Sequence, residues 1–152
     1  MNTGAITPLD LTEEQALVRQ TARNFAHDEL RPLAASIDEN ERIPPQIWSR
    51  ASELGLLGVP FPEEYGGMGL NPLCAATVVE ELATACASTA LAMSAHIGLG
   101  TSPVNRFGTP EQKRRFLPDL CTGRKIIAFA LTEPGAGSDA GSTQTTAVRK
   151  GD

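Results

Sequence analysis

Basic residues are too few and too scattered in this sequence to make a nucleic-acid surface. Thirteen lysines and arginines face eighteen acids, leaving a net charge of -5. The only basic knots, Lys113-Arg114-Arg115 and Arg124-Lys125, are small, whereas a polyphosphate backbone demands clustered positive charge. Cysteine is scarce too: Cys74, Cys86 and Cys121 lie at irregular spacings with no CxxC, and His27 and His96 are far apart. That pattern excludes a disulfide framework and a structural metal, and it points to a reducing compartment, the cytoplasm. Residues 1–7 have neither a basic nor an apolar run of the kind that begins a secretory signal, and they read as a short frayed tail. No uncharged apolar stretch is long enough to span a membrane, because Glu80 and Glu81 interrupt the small-residue run of residues 75–100. Repeats and low-complexity segments are absent.

What is present is the composition of a soluble globular chain: 152 residues, 41% hydrophobic and 20% charged. Thr12 opens a first helix with Gln15 completing a capping box and Glu13 and Glu14 at the positive end of the dipole. Leu17, Val18, Thr21, Phe25, Leu30, Leu33 and Ile37 then form one apolar stripe, so residues 12–37 are expected to be helical, with a bend near Arg31 forced by Pro32. Pro44-Pro45 starts a second helix through Ile47, Trp48, Ala51 and Leu54, which Gly55 stops, and Trp48 is expected in the core. Two prolines and three glycines within residues 60–69 exclude regular structure over most of that stretch. Asn71 caps a third helix, with Pro72 at its first position, running to about Ala85. Ser88 or Thr89 is expected to cap a fourth over residues 90–99, whose small side chains leave room for a close neighbour or a ligand. Thr109-Pro110-Glu111-Gln112 repeats the capping box for a fifth helix, ended by Gly123.

The chain then changes character. Residues 126–131 are apolar and read as a strand, and a second short strand is expected over residues 145–149. Between them Thr132-Glu133-Pro134-Gly135-Ala136-Gly137-Ser138-Asp139 reads as a loop in which Gly135 and Gly137 let backbone N–H groups approach an anion and Ser138 adds a hydroxyl donor. A phosphate or pyrophosphate suits it. Gly135-Ala136-Gly137-Ser138-Asp139-Ala140 matches the dinucleotide fingerprint G-x-G-x-x-A in letters only, because no helix opens at the glycines and no βαβ unit surrounds them. A glycine-rich connection without a ligand is the plain alternative. Helices first and strands last give an all-α fold, an up-down orthogonal bundle over residues 1–124, followed over 125–152 by the first strands of a truncated β-barrel-like domain. Two short strands cannot bury a face alone, so the sequence is expected to be a fragment.

Four stretches in this order resemble the acyl-CoA dehydrogenase family: Leu11-Thr12-Glu13-Glu14-Gln15, Glu53-Leu54-Gly55-Leu56-Leu57-Gly58 with the following Pro62-Glu63-Glu64-Tyr65-Gly66-Gly67-Met68-Gly69, Phe107-Gly108-Thr109-Pro110-Glu111-Gln112-Lys113, and Ala130 to Asp139. The resemblance implies a flavin-dependent oxidoreductase that binds FAD and an acyl-CoA substrate and removes hydrogens from the acyl Cα and Cβ. It further implies Phe129, Ala130 and Leu131 along the flavin ring, Thr132 at its N5 edge, and Gly137 and Ser138 at the pyrophosphate, with Ser138 also near the thioester. Ala92, Ala95, His96 and Leu99 would border the acyl chain. The implied partners are copies of the same chain, in a homo-oligomer that is a tetramer at full length, and an electron-transfer flavoprotein as acceptor. The family's general base is a glutamate expected downstream of Asp152. Glu133 and Asp139 do not match it by motif, so no catalytic residue is assigned, and the chain alone is expected to be inactive. A non-catalytic helical interaction module and an acyl-CoA oxidase-type relative are the alternatives.

Residue by residue, plainer roles compete with these. His96 reads as a core or interface histidine before a catalytic one. The three cysteines read as inert buried thiols. Lys113-Arg114-Arg115 reads as a solvated helix face.

Overall fold

The computed structural model describes residues 11–151; the tail expected at residues 1–7 lies outside them. Helix α1 (Glu13–Asn24) begins with the capping box read from the sequence: the Gln15 N–H donates to Thr12 Oγ1 at 3.2 Å and the Thr12 N–H to Gln15 Oε1 at 3.0 Å. The bend expected at Pro32 is distributed. A π turn over Phe25–Leu30 and a 3-10 turn over Arg31–Leu33 precede α2 (Ala34–Glu39). Widening the turn ahead of a proline accommodates its ring and its missing amide without ending the helical path. Helix α3 (Pro45–Glu53) stops where Gly55 takes φ +71°, and α4 (Pro72–Ala83) starts with the Cys74 N–H on Asn71 Oδ1 at 3.1 Å.

The fourth helix departs from expectation at both ends. Helix α5 (Ala87–Ser94) starts ahead of Ser88 and Thr89, whose hydroxyls engage Cys86 Sγ at 3.3 and 3.2 Å instead of capping. It continues past residue 99 through a second π turn, Ala95–Thr101, into α6 (Ser102–Phe107). Pro103 again follows directly on a widened turn. Helix α7 (Pro110–Cys121) repeats the capping box at Thr109 and Gln112.

One cluster of buried side chains, including Phe25, Leu30, Leu56, Leu57, Val78, Leu82 and Met93, joins α1, α3, α4 and α5, with Trp48 half-buried at its margin. A smaller one, Phe61, Ile97, Leu117 and Cys121, ties α7 to the second π turn. Across the α1–α4 contact Glu81, 4% exposed, accepts from Arg19 Nε at 2.6 Å and from Arg23 Nη2 at 2.8 Å and Nε at 3.0 Å. The Arg23 hydrogen bonds, opposed by burial and helped by Arg19, hold this carboxyl below its ordinary 4.5. A carboxyl depressed in the folded state gives stability that is present above its unfolded value and lost as pH falls through the folded one. Glu81→Gln is therefore expected to cost roughly 1–2 kcal/mol at pH 7, discounted because both arginines are solvent-accessible. Melts of the two proteins should converge as pH falls from the ordinary 4.5 through the lower folded-state value; a gap that persists in acid would place the stabilisation elsewhere.

The expected strands are not observed. Among the described residues no strand ladder forms over 126–131 or 145–149, and the one β-type contact is an isolated antiparallel bridge between Glu133 and Ala136. An extended segment becomes a strand only when a second lies beside it, and no described segment lies alongside these. No described helix is long and apolar enough to cross a membrane.

Candidate functional site

After α7, the Lys125 N–H donates to Asp119 O at 3.0 Å and the chain leaves the helices. Its next anchor is His96, which is 0% exposed. The Ile127 N–H donates to His96 Nδ1 at 3.2 Å, so the proton of the neutral ring sits on Nε2, which donates to Leu120 O at 3.1 Å. Burial lowers this ring's pKa and the Leu120 carbonyl only partly opposes it, so the ring stays neutral. Ile127 packs on Gly100, where a Cβ would lie 2.3 Å from Ile127 Cγ2. Beyond this anchor Phe129 (51% exposed), Ala130, Leu131 and Thr132 are open to solvent.

The loop is closed by backbone and carboxylates. Glu133 and Ala136 exchange two hydrogen bonds, 2.9 and 3.1 Å, around Pro134-Gly135. The Glu133 carboxylate accepts from the Gln144 and Thr145 N–H groups at 2.8 and 2.9 Å. Those donors, Gln144 first, hold the Glu133 pKa down. Asp139 accepts from the Ser142 hydroxyl and, through its carbonyl, from the Ser142 N–H. Both acids therefore shape the loop. Gly135 and Gly137 hold no left-handed backbone, and a Cβ on either would meet no atom within 4 Å. Among the described residues nothing requires glycine there; close approach by a bound group would. Among the described residues, Thr132 and Ser138 make no hydrogen bond and are left to solvent.

Of the residues expected along an acyl wall, Ala92 and Ala95 are half-buried and Leu99 is 53% exposed, whereas His96 presents no surface. The structure turns His96 inward because both ring nitrogens bond to backbone. An apolar cleft of about 360 Å³ lies on another face of the same helix, lined by Ala75, Ala76, Val79, Ser94, Ile97 and Gly98. A groove of about 530 Å³ between α1 and the 60–70 loop, bordered by Leu17, Val18, Met68 and Leu70, includes none of the expected site residues. Sequence reasoning missed Gly100 and Ile127, whose only signal is a glycine inside a helical pattern. The cysteines are free and buried, and burial pushes the Cys121 thiol up to about 11.

The architecture is thus an all-α domain whose last helix hands the chain to an open, glycine-bearing edge. The family described as acyl-CoA dehydrogenase, N-terminal domain, matches residues 12–124, and the chain belongs to the acyl-CoA dehydrogenases. It is 48% identical over 143 residues to the short-chain specific acyl-CoA dehydrogenase of Clostridium acetobutylicum, covering 94% of this chain and 38% of that one. A solved acyl-CoA dehydrogenase complexed with FAD from Bacillus anthracis superposes with a TM-score of 0.83 at 38% identity, covering 91% of this chain and 24% of that one. A solved chain from Acidaminococcus fermentans, described under an electron transferring flavoprotein and flavin-based electron bifurcation, gives 0.90 at 41% identity, covering 95% and 38%. The chain spans about 38% of the length of the curated relative.

Proposed function

We propose that these residues are the helical domain (1–124) and the first part of a β domain (125–152) of an FAD-dependent acyl-CoA dehydrogenase. The observation that carries the reading is the open edge: exposed Phe129, Leu131 and Thr132 run directly into Gly135 and Gly137, which no described residue requires to be glycines. Bound there, FAD would supply the two-electron acceptor for α,β-dehydrogenation of an acyl-CoA thioester. Phe129, Ala130 and Leu131 would hold the ring by apolar contact. Thr132 would offer two donors, and Gly137 with Ser138 would bind the pyrophosphate. Ala92, Ala95 and Leu99 would border the acyl chain, and we assign the Cα proton to neither Glu133 nor Asp139. The name of the Clostridium relative makes short acyl chains the first substrates to test. A homo-oligomer, tetrameric at full length, and an electron-transfer flavoprotein as acceptor follow from the same reading, as does a cytoplasmic setting for the free, buried cysteines.

The test is the visible spectrum of the full-length enzyme, followed anaerobically as a short-chain acyl-CoA is added. A bound flavin that bleaches is the expected result. Protein without flavin would favour a non-catalytic helical module, and peroxide formation in air at the rate of thioester oxidation would favour an oxidase.

A further inference from the structure

Every expected ring contact lies within five residues of Ile127, and Ile127 is fixed by one side chain. We propose that His96 is a positioning residue: its two ring nitrogens fix where the segment 127–132 leaves the helices, and with it the position of Thr132. The consequence for Thr132 rests on the flavin reading; the anchor itself does not. His96 is fully buried, and it bridges the last turn of α7 (Leu120 O, 3.1 Å) and the departing chain (Ile127 N–H, 3.2 Å). A neutral ring can make this pair of bonds in one tautomer only, because Nδ1 must accept and Nε2 must donate. Gly100 completes the device, its bare Cα letting Ile127 seat on the helix. Between Ile127 and the Glu133–Ala136 bridge, no described residue of the segment bonds to the helical domain, so the direction set at residue 127 carries to Thr132.

Two substitutions separate the nitrogens. In His96→Asn the amide oxygen replaces Nδ1 as acceptor for Ile127, and in His96→Gln the amide nitrogen replaces Nε2 as donor to Leu120. In the full-length protein His96→Gln should raise exchange of the Ile127 amide about tenfold, the worth of one hydrogen bond. It should also lower kcat for acyl-CoA oxidation with little change in KM. His96→Asn should stay near the parent in both. Equal behaviour of the two variants, or unchanged exchange in both, would overturn the anchor. If melting shows that either variant fails to fold, Gly100→Ala displaces Ile127 without touching the ring and should raise the same exchange; no rise there overturns the proposal. Faster exchange in a protein that carries no flavin keeps the anchor and removes the flavin reading, whereas unchanged exchange in a flavin-loaded protein does the reverse.

Discussion

Gly67→Ala is expected to lower the melting temperature by roughly 10 °C, the result of about 3 kcal/mol of overpacking in a domain of this size. Gly67 lies in the stretch 60–69, whose composition argues against regular structure over most of its length, and in the folded chain residues 58–70 form a tight knot. The Gly67 N–H donates to Pro62 O, Met68 N–H to Gly58 O, Gly69 N–H to Phe61 O and Leu70 N–H to Val59 O, all between 2.8 and 3.1 Å. Two passes of backbone lie so close that a Cβ on Gly67 would stand 2.2 Å from Phe61 O and 2.8 Å from Gly58 O. Those neighbours are main chain beside the buried Phe61, so they cannot swing aside as a side-chain end would. Gly66 is a different case: its φ of +82° adds a conformational cost of about 1–2 kcal/mol, and its Cβ would meet a side chain, Thr122 Cγ2 at 2.8 Å, in place of main chain. Gly135→Ala is the matched control. It meets no atom and needs no left-handed backbone, so its melt should lie within about 0.5 kcal/mol of the parent. Differential scanning calorimetry of the three variants checks the order; a Gly67→Ala protein as stable as Gly135→Ala would mean that the knot opens at little cost.

The contrast among these glycines shows what a sequence can carry. Thr12 with Gln15 and Thr109 with Gln112 were legible because a capping box closes within one turn, between side chains whose chemistry is written three residues apart. The start of α5 was not, since Ser88 and Thr89 are good caps in isolation and only the fold brings Cys86 Sγ to them. Helical continuity through Pro103 was hidden for a related reason: proline argues for a break, and the π turn that accommodates it has no residue signature. The strand expected over 126–131 failed on a different ground, since alternation and composition describe one chain while a ladder is a property of two. At the candidate site the loop was visible as glycines, serine and a strand-like lead. The anchor was invisible, because His96 bonds backbone atoms 24 and 31 residues away and backbone groups leave no trace in a sequence.

Thr132→Ala in the full-length enzyme should slow the bleaching of its flavin by acyl-CoA between about 100- and 1000-fold, the order expected when one of two preorganised donors is lost. Substrate binding should change far less. Thr132 is the residue at which the apolar lead ends and the closed loop begins: Phe129 and Leu131 before it are open to solvent, and Glu133 after it is held by Ala136, Gln144 and Thr145. Its N–H and hydroxyl have no partner among the described residues, so both are available to a group that gains charge during reaction. A donor whose bond strengthens as charge develops lowers the barrier, while one that bonds equally before and after only tightens binding. The methyl of alanine removes the hydroxyl and keeps the backbone N–H, so the loss is partial and the loop, held at Glu133, should not move. Single-turnover stopped-flow separates the two effects: the limiting bleaching rate should fall while the half-saturating substrate concentration holds. A variant that instead keeps its limiting rate and needs more substrate would assign Thr132 to binding the thioester, and one unchanged in both would remove it from the site.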